Sequence, residues 1–352
     1  MSVSASRPAP PPLSASGEAL VEHHDVGLFD LDGVVYVGAG AVAGAPEALA
    51  RVRELGMKVR FVTNNAARTP EVVTAHLHRV GVSATASEVV TSAQAAAHLV
   101  ADRVPTGSRV LVVGGDGLSV ALSERGLVPV FSASDAPAAM VQGFHPDVGW
   151  RQLAEGAYAL ASDIPWVASN IDRTLPTDNG LAPGNGTLVE VLRMATGKSP
   201  VIAGKPAPPL FLEAVASAGA ERPLVIGDRL DTDIEGAHAA GMPSLLVLTG
   251  VTTLADLVTA PPHRRPTYLA LDLGGMFAQH RSPTVGPHAA TCGGWTVELP
   301  NDSDNTVHPQ LTGDGDPLDA ARAVLAAAWR CADPARVVAT EVLERLEVKA
   351  KR

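Results

Sequence analysis

Leu28-Phe29-Asp30-Leu31-Asp32-Gly33-Val34-Val35-Tyr36 is the stretch on which the reading of this chain turns. With Val26-Gly27 before it, an apolar run ends in two carboxylates two residues apart, then a glycine. A short apolar run bounded by turn residues reads as a buried strand. Two carboxylates at the mouth of a strand can share one metal and one phosphate, one attacking phosphorus while the other handles protons. Asp and Gly are also ordinary turn residues, so this segment does not decide alone. What decides is the ordered series of strand ends that follows it.

From Asp25 onward, short apolar strands alternate with helical stretches, the pattern of an α/β domain with a parallel sheet. Lys58–Thr63 reads as a strand closing on Thr63-Asn64-Asn65. Val201–Ala203 resumes the first sheet and closes on Gly204-Lys205-Pro206, and Leu224–Ile226 closes on Gly227-Asp228. Leu245–Leu248 is read as the last core strand. Between these lie the strands Arg109–Val113, Ala138–Gly143 and Pro165–Ser169 with helices between them, a smaller α/β domain of its own.

Ligands of open α/β sheets bind at the carboxyl ends of the strands, so the four motifs converge on one edge. Their chemistries complement each other. Asp30 and Asp228 are hard oxygen ligands suited to Mg²⁺. Lys205 supplies positive charge for phosphoryl oxygens, and the Thr63 hydroxyl with the amide of Asn64 donates hydrogen bonds to the same oxygens. Asp30 can then attack phosphorus, and Asp32 can protonate the leaving alkoxide and later deprotonate water. Asp233 orients Lys205 or a metal-bound water, and Asp231 reads as a helix cap.

With these motifs in order, the chain resembles the haloacid dehalogenase superfamily of phosphatases over Asp25 to Ala278. In detail it looks like the NagD-like, p-nitrophenylphosphatase branch, and within that the actinobacterial glycerol 3-phosphate phosphatases. Val90-Thr91-Ser92-Ala93-Gln94 and Leu175-Pro176-Thr177 carry the last step. The resemblance implies a Rossmann-like parallel-sheet core with an inserted α/β cap of the C2 type. It implies Asp30 as nucleophile, Asp32 as acid/base, and Mg²⁺ held by Asp30, the Asp32 carbonyl and Asp228. The expected substrate is a small phosphate ester, glycerol 3-phosphate, as in turnover of glycerophospholipid head groups. Phosphoglycolate, a nucleotide, a sugar phosphate, phosphoryl transfer, and a non-catalytic phosphometabolite-binding regulator stay open as alternatives.

The domain reading that follows is a disordered tail at 1–22, a discontinuous core at 23–90 and 200–280, a cap at 91–199, and a small α+β extension at 281–352. Asn170, Asp172 and Arg173 follow a cap strand and are the candidates for reading the leaving group. Pro176 is a further candidate, followed by Gly184-Asn185-Gly186. Gly115-Asp116-Gly117 lacks the third glycine of a dinucleotide loop and reads as a strand-to-helix junction. Pro261–Pro266 reads as a linker, and the extension shows one strand and two helices, Leu318–Trp329 and Val337–Leu346. It resembles a fragment of an acetyltransferase fold with no glycine-rich pyrophosphate loop, so a docking or stabilising role is expected.

Bulk composition bounds the partners. The chain has 352 residues, 46% hydrophobic but only 4% aromatic, so its cores are aliphatic. A net charge of −10 disfavours nucleic acid, which calls for a basic face. Two cysteines form no disulfide framework, and a reduced cytosol is the simplest setting. No apolar run reaches membrane-span length, and the Pro-, Ser- and Ala-rich N-terminus is not a signal peptide. A homodimer stays open.

Overall fold

The computed structural model describes residues 11–177, 179–287, 289–298, 309–331 and 334. The chain divides into two compact units, one of Met1–Val59, Val80–Val82 and Ala218–Arg352, the other of Arg60–Arg79 and Ser83–Ser217. The boundary falls inside the strand Lys58–Thr63.

The first unit is built on parallel strands. Val26–Phe29 pairs with Pro223–Gly227 in the register Val26↔Pro223 to Phe29↔Ile226. Pro223–Gly227 pairs with Ser244–Val247, and that strand with Tyr268–Ala270. Lys58 enters beside the first strand, its N–H donating to the Asp25 carbonyl at 3.0 Å. Val26–Phe29 is buried throughout, as a parallel strand covered on both faces must be. The helix Ala45–Glu54 ends at Gly56, whose φ of +87° provides a left-handed stop.

Tyr268–Ala270 extends the sheet one strand beyond the expected last one, Leu245–Leu248. The Pro261–Pro266 stretch is correspondingly part of the unit rather than a free linker. Pro262–Arg264 forms a short 3₁₀ turn, and Arg264 pairs with Glu235 at 2.7 Å. Of the segment expected to be a tail, residues 1–10 lie outside the described residues. Leu13, by contrast, is 2% exposed, its N–H donating to the Pro266 carbonyl, and Leu20–His23 is helical.

The extension is richer in strands than its sequence suggests. Thr284–Val285, Ala289–Cys292, Trp295–Glu298 and Gln310–Gly313 form a four-stranded antiparallel sheet against the helix Pro317–Ala328. The alternation of Trp295–Leu299 marks one strand in the sequence, and the other strands are too short and too weakly alternating to be read there. Asp316 caps that helix, accepting from Leu318 N–H at 2.9 Å. The expected helix Val337–Leu346 lies outside the described residues.

The second unit holds a five-stranded parallel sheet in the order Val201–Ile202, Trp166–Ala168, Ala139–Gln142, Arg109–Val113, Val128–Val130. Val201–Ile202 therefore pairs with Trp166–Ala168 instead of resuming the first sheet. One face of this sheet packs Leu111, Val113, Met140 and Trp166 against Leu160, Val189 and Leu192 of the flanking helices. The junction at Gly115-Asp116-Gly117 opens the helix Asp116–Glu124. The same unit pairs the end of Lys58–Thr63 with Val89–Thr91, in the register Phe61↔Val89 to Thr63↔Thr91. No helix among the described residues is long and apolar enough to cross a membrane.

Candidate active site

In the first unit, strand pairing alone brings two acids together. Phe29 is opposite Ile226 in the parallel register, and Asp30 N–H continues the ladder to the Ile226 carbonyl at 2.8 Å. Asp30 and Asp228 therefore leave neighbouring strand ends side by side. Asp233 joins them from the turn Leu230–Ile234, its carboxylate accepting from Arg229 N–H at 3.1 Å. Asp30, Asp228 and Asp233 are 9%, 1% and 1% exposed. One carboxylate oxygen from each lies within 4.8 Å of the others.

The glycines of both motifs make room for these acids. Gly33 has φ +84°, and a Cβ there would stand 2.4 Å from Asp228 Oδ2. A Cβ on Gly250 would stand 2.0 Å from the same oxygen, and one on Gly227 would stand 2.2 Å from Asp233 Cβ. The Asp228 carboxylate accepts from Val251 N–H at 2.7 Å, and the Thr249 hydroxyl donates to the Gly33 carbonyl at 2.6 Å. Asp32 is not one of these three. Its side chain is exposed, and its backbone bridges to Tyr36 in the turn that follows.

Three buried carboxylates this close repel one another unless a cation joins them. Arg229 is one nearby cation. Burial pulls its pKa down, but Asp231 first, then Asp228 and Asp233, outweigh that and leave it above the usual guanidinium value. Asp231 is thus bound to Arg229, with contacts of 3.1 and 2.9 Å, and does not cap a helix as expected. An all-oxygen donor set suits a hard divalent cation such as Mg²⁺. Asp30 and Asp228 were the side chains expected to hold it, and Asp233 stands with them rather than behind them.

The second unit carries the other candidates, bracketed by Asn64. Its Oδ1 accepts from Lys205 N–H at 2.8 Å, and its amide donates to the Lys205 carbonyl at 3.0 Å. The same amide donates to both Asp172 oxygens at 3.3 and 3.2 Å. The Asn64 carbonyl accepts from Ser92 Oγ at 2.6 Å and Asn170 Nδ2 at 2.8 Å. Asn170 Oδ1 in turn accepts from Asp172 N–H. Both Asn64 and Asn170 therefore use their side-chain groups in positioning neighbours. Thr63 Oγ1 accepts from Asn65 N–H at 3.1 Å, so its own hydrogen remains to donate.

Lys205 is 3% exposed, with Nζ donating to the Val62 carbonyl at 3.4 Å. Glycines again permit the close approach. A Cβ on Gly204 would meet the Ser169 carbonyl at 2.4 Å, and one on Gly186 the Ile171 carbonyl at 2.2 Å. Arg173 is exposed. Ser92 and Asn185, which donates to the Asn170 carbonyl at 2.7 Å, complete the bracket; Asn185 belongs to the expected cap candidates, and Ser92 does not. The signal for Ser92 was the Thr91-x-x-Gln94 capping box, which starts the helix Ser92–Ala101 next to Thr91.

Comparison with known proteins follows this geometry. A haloacid dehalogenase-like hydrolase model matches residues 27–128, and a second, HAD-hydrolase-like, model matches 202–276. A D-glycerol 3-phosphate phosphatase of Mycobacterium tuberculosis is 46% identical over 90% of this chain and 89% of its own. The chain belongs to the haloacid dehalogenase-like hydrolases. A crystal structure of a glycerol phosphate phosphatase from Mycobacterium tuberculosis in complex with magnesium superposes with a TM-score of 0.81. It is 44% identical, covering 90% of this chain and 93% of that one. A p-nitrophenyl phosphatase from Archaeoglobus fulgidus gives 0.67 at 29% identity, covering 72% of this chain and 98% of its own. Part of this hydrolase thus has no counterpart in the archaeal enzyme.

Proposed function

We propose that this hydrolase is a Mg²⁺-dependent phosphomonoesterase acting on a small phosphate ester, glycerol 3-phosphate foremost. The buried triad of Asp30, Asp228 and Asp233 at the strand ends is the observation that carries this reading. A bound Mg²⁺, held by Asp30, Asp228 and the Asp32 carbonyl with Asp233 beside them, would offset the repulsion between carboxylates and a phosphate dianion.

Asp30 attacks phosphorus and forms an acyl phosphate as the ester P–O bond breaks. Asp32 gives its proton to the departing alkoxide, then takes one from the water that opens the acyl phosphate, freeing Asp30 and phosphate. The exposure of Asp32 suits a group that must exchange protons with solvent and substrate. Lys205 and Thr63, with the Asn64 amide, neutralise and orient the phosphoryl oxygens. Asp172 and Arg173 read the leaving group, and the Asn64–Asn170 bracket keeps Asp172 and Lys205 in register. Cys292 and Cys331 share no disulfide, which agrees with action in a reducing cytosol.

The test compares phosphate release with Mg²⁺ from glycerol 3-phosphate, phosphoglycolate, nucleoside monophosphates and sugar phosphates. A ten-fold or greater kcat/KM advantage for glycerol 3-phosphate, about 1.4 kcal/mol of transition-state discrimination, is expected. A flat profile would refute the substrate assignment. Asp30→Asn should abolish release, and normal turnover by that variant would refute the nucleophile.

A further inference from the structure

The extension packs into the core that backs the acid cluster. One apolar cluster combines Ala290, Cys292, Val297, Val324 and Leu325 of the extension with Ile234, Leu246, Leu254 and Leu257. Ile234 directly follows Asp233. Leu254 and Leu257 belong to the short helix Leu254–Val258, which begins just after the segment that grips Asp228. Val251 N–H donates to Asp228 Oδ2 at 2.7 Å, and Thr252 N–H to the Asp228 carbonyl at 3.2 Å.

That short helix is pinned at both ends. Thr253 caps its start in a reciprocal capping box with Asp256. At its far end the Leu257 carbonyl accepts from the Trp329 indole N–H at 2.8 Å. Trp329 is itself held, with the Arg265 guanidinium 4.8 Å from its ring centre. A five-residue helix has little stability of its own and takes its position from what it packs on. Here that is the helix Pro317–Ala328 and Trp329.

We propose that the extension is a positioning module for the divalent cation. Trp329 and its helix fix Leu254–Val258, which fixes the Val251 and Thr252 amides, which hold Asp228 in its ligating orientation. The inference rests on the reading that Asp228 holds the cation. Trp329 touches neither substrate nor cation, so it is a positioning residue.

The test is Mg²⁺ titration calorimetry on the full chain, together with the Mg²⁺ dependence of turnover. Trp329→Phe removes the N–H and keeps most of the packing, and Trp329→Ala removes both. Each should raise the Mg²⁺ dissociation constant three-fold or more, with Trp329→Ala the larger. At saturating Mg²⁺ the substrate KM should equal that of the parent. Arg281→Ala, at the exposed side of the extension, should leave Mg²⁺ affinity unchanged. Parent-like Mg²⁺ affinity in both Trp329 variants, with Asp228→Asn losing it, would overturn the proposal alone. Parent-like affinity in Asp228→Asn would overturn the cation reading beneath it. Hydrogen exchange on the unaltered chain gives a check that needs no variant. Saturating Mg²⁺ should slow exchange in 249–258 and 325–330 together, and protection confined to 28–33 and 227–234 would refute the coupling.

Discussion

Gly33→Ala tests the idea that the glycine of the first motif exists for Asp228. Two costs are separable. An alanine at φ +84° occupies the left-handed region, at about 1–2 kcal/mol. Its Cβ would also stand 2.4 Å from Asp228 Oδ2 and 2.6 Å from Cγ, where ordinary contact begins near 3.4 Å. The carboxylate must retreat by about 1 Å, and misplacement on that scale at a reacting centre costs about 100-fold in rate. The retreat would also stretch the 2.7 Å bond from Val251 N–H. Gly44→Ala isolates the first cost, since Gly44 has φ +76° and nothing within 4 Å of its Cβ position. Thermal unfolding, kcat and Mg²⁺ half-saturation would be measured on both. Both variants should melt earlier, Gly33→Ala by the larger amount. Only Gly33→Ala should lose about 100-fold in kcat, or about 2.7 kcal/mol of transition-state stabilisation, with a raised Mg²⁺ requirement. Turnover of Gly33→Ala within three-fold of Gly44→Ala would refute the reasoning.

Other expectations concern stability. Burial first, then His23, pushes the His24 pKa from 6.5 down to about 4. The unfolded chain binds a proton there that the folded chain refuses, so stability should fall as pH drops from 6.5 through 4. The full loss is roughly 3 kcal/mol, and chemical denaturation of the parent and His24→Phe across that range should show a steeper slope in the parent. Arg322, 7% exposed in its side chain, pairs with Asp319 at 2.8 Å and donates to the Leu269 carbonyl of the sheet's edge strand at 2.8 Å. Arg322→Ala leaves buried Asp319 to Arg281 among the described residues and should cost about 3 kcal/mol. The double change Arg322→Met with Asp319→Leu should unfold closer to the parent in urea. A double variant no more stable than Arg322→Ala would count against a buried-charge origin.

Much of this was legible in sequence because it is local. Val26–Phe29 is buried on both faces and therefore apolar at every position, and the acids follow because strand ends are where ligands bind. Gly33 and Gly227 were visible as parts of motifs. The use of Gly33 as room for Asp228 was not, because those two segments lie about 200 residues apart, and that of Gly227 as room for Asp233 depends on how the turn between them folds. Asn64 shows the same limit. Its place after a strand end marked it for phosphate, while its side chain serves Lys205 and Asp172 from 141 and 108 residues away. The Trp166–Ala168 partner of Val201–Ile202 was missed because a parallel edge strand of two residues carries no periodicity.

By itself, then, the order of residues determined the strand-and-helix alternation, the four motif positions, the oxygen-rich donor set and the family they resemble. Each of these is written in spacing along one stretch of chain. Tertiary structure decided the rest: that Asp233 stands among the acids, that Asn64 and Asn170 are brackets, and that the extension's helix shares a core with Ile234 and Leu257. Those facts depend on which distant surfaces exclude water together, and apolar burial has no direction or address that a single stretch of sequence can spell.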